Sequence, residues 1–121
     1  MTTYVYLLYG DESRWDNASQ EVWDAEMAKH GEFSAWVEAR GSKILGGEAL
    51  DQTRTATTLR FEDGKDTLVT DGPFAEVAEN LGGYYVIECK DLDEALEVGK
   101  RMPMTGGGSV EIRPVVPTGG S

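Results

Sequence analysis

A single histidine, His30, and a scatter of carboxylates carry whatever proton chemistry this chain of 121 residues can do. Imidazole has an ordinary pKa of about 6.5, so it is the natural proton donor and acceptor at neutral pH. His30 falls on the apolar arc of a long helical stretch, three residues from both Met27 and Phe33. A histidine placed there needs a polar partner or a position at a cleft edge, because burying it bare is costly. Two roles fit it: an acid/base residue in a cleft, or a structural histidine bonded to a backbone carbonyl.

Asp71 is the second candidate, standing at a strand end before Gly72-Pro73-Phe74. Its carboxylate can cap the Phe74 N–H, with Pro73, which has no N–H to offer, near the start of a short helix. Alternatively it faces a cleft, where it orients or deprotonates something. Gly72 precedes a proline and is expected in extended geometry, and Phe74 is expected to anchor in the core. Glu76 and Glu79, three apart on that short helix, would share a face, where close carboxylates can split their pKa values into acid and base. Solvated surface is their plainer reading. Glu111 and Arg113 share one face of the last strand. Arg113 can grip a carboxylate ligand with both guanidinium prongs, or pair with Glu111 or with an acid across a dimer. The catalytic candidates are therefore His30 and Asp71, and the ligand-binding candidates are Glu76, Glu111 and Arg113.

Other chemistries lack their residues. Gly106-Gly107-Gly108-Ser109 has no Gly-Lys-Ser/Thr, and a strand follows where a phosphate-binding loop needs a helix. Gly46-Gly47 does not make a dinucleotide fingerprint either. One His, one Cys and carboxylates without a calcium-loop spacing show no metal cluster, which leaves only an all-oxygen site open to a metal, and no cofactor is expected. Neither a Ser–His–Asp nor a Cys–His signature is present. The net charge of −11, from 22 acids and 11 bases, repels phosphate backbones, and no basic stripe offsets it, so nucleic acid is not an expected partner. No apolar run reaches the roughly eighteen residues of a membrane span, and Met1 to Tyr9 lacks the marks of a secretory signal. A lone cysteine, Cys89, fits a reducing cytoplasm.

The elements that must position these residues follow from periodicity. Tyr4 to Tyr9 reads as a strand apolar on both faces. Asn17 or Ser19 caps a helix running to about Arg40, with Asn17-x-x-Gln20 resembling a capping box. Val22, Trp23, Met27, Phe33, Trp36 and Val37 share its apolar face, which Glu26 and Lys29 interrupt. Gly41 is a left-handed stop. Strands are expected at Lys43 to Leu50, with a bulge or close approach at its glycines, and at Ala56 to Phe61 and Asp66 to Thr70 around an Asp63-Gly64 turn. About two helical turns are expected over Pro73 to Asn80. A strand apolar on both sides follows at Gly83 to Cys89, then a helix capped by Asp91, and a last strand at Ser109 to Val116. One domain over 1–116 and a flexible tail over 117–121 account for the chain. The order is the split βαβ, ferredoxin-like plan with one extra hairpin. Both helices then cover one sheet face, and the other, too apolar to leave in water, is expected to pack on a second copy. Tyr4, Tyr6, Leu8, Tyr84 and Val86, or the alternate sets beside them, should line that contact.

Asp71-Gly72-Pro73-Phe74-Ala75-Glu76, with Gly82-Gly83-Tyr84-Tyr85 and Val110-Glu111-Ile112-Arg113-Pro114-Val115, resembles the DGPF group of the YCII-related proteins from about Tyr4 to Val115. The resemblance implies a small bacterial α+β domain of ferredoxin-like fold, paired as a dimeric α+β barrel. It implies a cleft in which a His–Asp pair works. A lysine common in the family is Ala78 here, which removes any role for that amine. The function implied is a cofactor-free small-molecule enzyme using acid/base chemistry in the barrel cleft. The alternative is a non-catalytic small-ligand-binding or regulatory module acting with an extracytoplasmic-function sigma factor.

Overall fold

A computed structural model describes residues 1–118. Six strands and two α-helices follow one another as β1 (Thr2–Gly10), α1 (Gln20–Ala39), β2 (Lys43–Ala49), β3 (Thr57–Arg60), β4 (Leu68–Asp71), β5 (Asn80–Cys89), α2 (Leu92–Lys100) and β6 (Ser109–Pro114). Short 3₁₀ turns at Glu12–Trp15 and Thr53–Thr55 lie between them. β2, β5, β1 and β6 form one antiparallel sheet in that order, with β5 and β1 at its centre. β3 and β4 pair only with each other, as a separate hairpin between β2 and β5. This is an α+β arrangement with antiparallel sheets, consistent with the ferredoxin-like plan. Among the described residues regular structure ends with β6, and residues 119–121 of the expected tail lie outside them.

Register decides which residues face the helices. Tyr4 lies opposite Ile87 and Tyr6 opposite Tyr85 on the β1–β5 ladder, and Tyr6 lies opposite Ile112 on β6. These side chains meet Phe33 and Val37 of α1 and Ala95 and Val98 of α2 in one core. The Tyr6 hydroxyl is buried with its ring and donates to the Ala95 carbonyl at 2.8 Å, so its burial leaves no bare polar atom. Alternation puts Val5, Leu7, Tyr84 and Val86 on the opposite, helix-free face. Tyr4, Tyr6 and Leu8 therefore face the helices, while Tyr84 and Val86 lie on the helix-free face with Val5 and Leu7 of the alternate set.

The helix ends follow local chemistry. Ser19 is the cap of α1, its hydroxyl accepting from the Val22 N–H at 3.2 Å. Asn17, two residues earlier, instead takes φ 58°, so it makes no capping box. Asp91 caps α2 by accepting from the Glu94 N–H at 2.9 Å, and the Glu94 carboxylate in turn accepts from Ser42 and the Lys90 N–H. The glycines of β2 accompany a register shift between Ile44 and Gly46. At Gly47 a Cβ would sit 2.6 Å from the Tyr84 carbonyl, a distance only glycine tolerates.

The helix expected over Pro73 to Asn80 is absent; the segment is a series of bends. Gly72 is not extended but takes φ 91°, and its N–H donates to the Ala56 carbonyl at 2.6 Å. That bond closes the end of the hairpin and sends the chain away from a helical start. Phe74 is 72% exposed rather than a core anchor. With no packing face to stabilise it, so short a segment cannot repay helix nucleation.

Candidate functional site

One end of the sheet opens, on its helix side, into a cleft of about 680 Å³. Its floor is the end of β1 and the start of β5, and its walls are the N-terminal half of α1, the Leu50–Gln52 turn and the loop through Pro103–Thr105. That is a volume suited to a small organic molecule. Trp23 and Met27 line it at 39% and 36% exposure. The apolar face of α1 therefore divides: Phe33 and Val37 enter the core, while the residues one to three turns earlier face the cleft. Trp15 meets Trp23 edge to face with ring centroids 6.0 Å apart.

Glu26, expected to interrupt the apolar face, is among the most buried groups of α1. Both its carboxylate oxygens lie within hydrogen-bond distance of the Thr105 hydroxyl, at 2.9 and 3.1 Å. Lys29 Nζ donates to the same hydroxyl oxygen at 3.1 Å and stands 3.8 Å from the carboxylate. Arg14 donates to the Thr105 carbonyl, which ties the loop to the wall opposite. Thr105 thus joins α1 and the loop before β6 across the cleft mouth.

His30 sits one helical turn beyond Glu26, as their four-residue spacing requires. Its Nδ1 lies 2.7 Å from the Tyr85 hydroxyl, and its Nε2 lies 3.9 Å from Glu26 Oε1, with all three residues lining the cleft. Tyr85 is braced from behind by the Phe33 ring, edge-on at 5.3 Å. Burial pushes the imidazole pKa below its ordinary 6.5, and the neighbouring Glu26 charge offsets only part of that push. The ring is neutral at neutral pH. Burial also raises the Tyr85 phenol, which therefore keeps its proton. The site places Tyr85, His30 and Glu26 in a row, with a hydrogen bond between the first two and a 3.9 Å gap between the last two.

The other expected site residues lie elsewhere. Asp71 closes the β4 ladder opposite Thr57 and does not line the cleft. The carboxylate facing His30 is Glu26, on the same helix. Glu76 and Glu79 share no helix: Glu79 accepts from the Ser109 hydroxyl at 2.9 Å, and Glu76 borders a shallow depression with Asp11, Glu12 and Arg54. Glu111 and Arg113 pair at 3.8 Å on the helix-free sheet face, opposite Leu7 and Val5, away from the cleft. Cys89 is fully buried and its thiol is pushed up by burial, so it is no nucleophile. Among the described residues no group of His, Cys, Asp and Glu is placed to hold a metal ion, and no helix is long and apolar enough to cross a membrane.

The sequence pointed to His30 but not to Glu26, Tyr85 or Thr105. Glu26 did carry a signal: an acid on the apolar arc, four residues before the only histidine, is expensive unless something uses it. Tyr85 looked like one more apolar strand residue, and nothing local marks Thr105.

The family model for the YCII-related domain matches residues 2–118. The chain is also 40% identical over 120 residues to an uncharacterized protein of Rhizobium meliloti (strain 1021), covering 93% of this chain and 90% of that protein.

Proposed function

The chain belongs to the YCII-related family, and from that premise we propose that its cleft carries out cofactor-free acid/base chemistry on a small organic molecule. One observation carries the reading: a neutral histidine held at Nδ1 by Tyr85 presents Nε2 to the cleft beside a buried carboxylate. When Nδ1–H donates to the Tyr85 oxygen, Nε2 holds a free lone pair. A ligand proton seated against it transfers to His30, and the imidazolium formed is stabilised by Glu26. Reversal returns the proton to another atom of the ligand, which is the logic of an isomerisation or elimination. The 3.9 Å between Nε2 and Glu26 is too long for a good direct hydrogen bond, so a ligand hydroxyl or amine beside both can bridge them. Asp71, Glu76, Glu111 and Arg113 take no step within a single chain.

The same proposal includes a homodimer built on the helix-free face. Val5, Leu7, Tyr84 and Val86 make an apolar centre there, rimmed by Lys43, Glu88, Glu111 and Arg113. An apolar centre inside a charged rim of both signs suits a second copy of the same face.

A non-catalytic binding module would use the same cleft but would give His30 no proton to move. The test is to find a ligand by the NMR shift of the His30 imidazole, then compare binding and turnover in wild type and His30→Gln. Turnover that falls by about 100-fold or more, with affinity kept within a few fold, supports the acid/base role. Binding without any turnover in wild type leaves the binding module.

A further inference from the structure

We infer that the cleft takes a small organic cation: a compound with an apolar or aromatic body and a protonated amine seated against Glu26. The inference rests on the reading of the cleft as a small-molecule site and adds the charge of what enters it. Glu26 and Asp51 line the cleft together with Asp11 and Glu12, whose carboxylates accept from Ser13 and Thr53, against one guanidinium, Arg14. Arg14 is already engaged by the Thr105 carbonyl and lies 5.9 Å from the Trp15 ring. Lys29 spends its ammonium on the Thr105 hydroxyl and does not line the cleft. A carboxylate or phosphate ligand would meet this wall of acids with no free cation to receive it. The net charge of −11 steers cations toward the whole molecule and anions away from it.

Glu26 supplies the anchor. Its side chain is only 9% exposed. An ionised carboxylate offers about four acceptor positions, and here a single hydroxyl proton, from Thr105, can fill one of them. Lys29 at 3.8 Å and His30 at 3.9 Å stand too far off to fill the others with good hydrogen bonds. A buried anion with acceptor positions to spare, on the wall of a cleft, is completed by a ligand that brings donors and positive charge. A neutral His30 sets no like charge beside that ligand as it enters and can accept one of its N–H bonds.

The aromatic wall supplies the rest. Trp23 is part-exposed, and among the described residues no cation lies over its ring. An aromatic or alkyl body packs on Trp23 and Met27, and a cationic group near a Trp face is held by the ring quadrupole.

Three probes of matched size test this: 2-phenylethylamine, 2-phenylethanol and 3-phenylpropionate, each titrated against the full chain and read by the His30 imidazole resonances. The amine is expected to bind at least about tenfold tighter than either of the others, the equivalent of one charge-assisted hydrogen bond. Glu26→Gln, which keeps an acceptor for Thr105, should remove that preference and leave the alcohol's affinity within about twofold. Asp51→Asn, at an exposed position of the cleft wall and keeping the acceptor for the Gln52 N–H, serves as a second variant in case Glu26→Gln does not fold, and should weaken the amine alone. Equal or tighter binding of the alcohol or the carboxylate overturns the inference while keeping a small-molecule cleft. Failure of all three to perturb His30 at millimolar concentration overturns both.

Discussion

The imidazole Nδ1 of His30 and the phenol of Tyr85 stand 2.7 Å apart, joining the middle of α1 to a central strand of the sheet. The bond spans 55 residues of sequence and fixes which ring nitrogen meets the cleft. It also places the imidazole where burial outweighs the pull of Glu26.

NMR titration of His30 should therefore give a pKa below the ordinary 6.5. Glu26→Gln should lower it further, because the Glu26 charge is the group holding it up. The sign for stability follows from linkage. Between the folded-state pKa and the unfolded value of about 6.5, the unfolded chain binds more protons than the folded one. Stability is then full above that unfolded value and falls as the pH drops toward the folded-state pKa. Urea unfolding at a series of pH values should show that decline, and His30→Gln should flatten it. An upward shift of the imidazole would contradict the burial argument.

Asp71→Asn should leave the His30 titration curve unmoved, since Asp71 does not line the cleft. A shift caused by that substitution would mean that Asp71 reaches His30 in the assembled protein, from the same chain or from a second copy.

Sedimentation equilibrium at micromolar concentration should give twice the chain mass of 13.2 kDa. Leu7→Glu or Val86→Asp, each placing a charge at the centre of the helix-free face, should release monomers that keep their far-ultraviolet circular dichroism. A wild-type protein that sediments as a folded monomer would remove the dimer.

Ile87→Ala should cost about 2–5 kcal/mol by the cavity it leaves among fully buried neighbours. Ser19→Ala removes the α1 cap and should cost about 1 kcal/mol. Denaturant unfolding reads both, and a smaller loss for Ile87 than for Ser19 would mean that the core is not where the sheet register puts it.

Strands were legible where β-branched and aromatic residues are continuous, as in Tyr4–Tyr9 and Gly83–Cys89. The two-sided apolar pattern marked them as central. Which set faced the helices was not legible, because both alternating sets of β1 are apolar and only the cross-strand register distinguishes them. The misread helix after Pro73 has a similar cause. Proline at a helix start is a valid local signal, but Gly72 gave the chain the freedom to turn left-handed, and the Gly72–Ala56 hydrogen bond is a tertiary fact. At the site, His30 was visible by being alone of its kind. Glu26 sat in plain view four residues earlier, yet a carboxylate among apolar residues looked like a defect of pattern. Its partner, Thr105, is 79 residues away, and no local rule brings the two together.

Helix α1 belongs to two compartments at once. Its C-terminal half is clamped in the core through Phe33 and Val37, while its N-terminal half borders the cleft and leaves Val22 half exposed. Amide protons along this one helix should then exchange on a gradient, fast near Ser19 and slow near Val37, because opening the first turns breaks few buried contacts. Anything bound against Glu26 and His30 would tighten only the fast end. The helix is in that sense a built-in gauge: the slope of its exchange rates, rather than any movement of the chain, would report whether the cleft is filled.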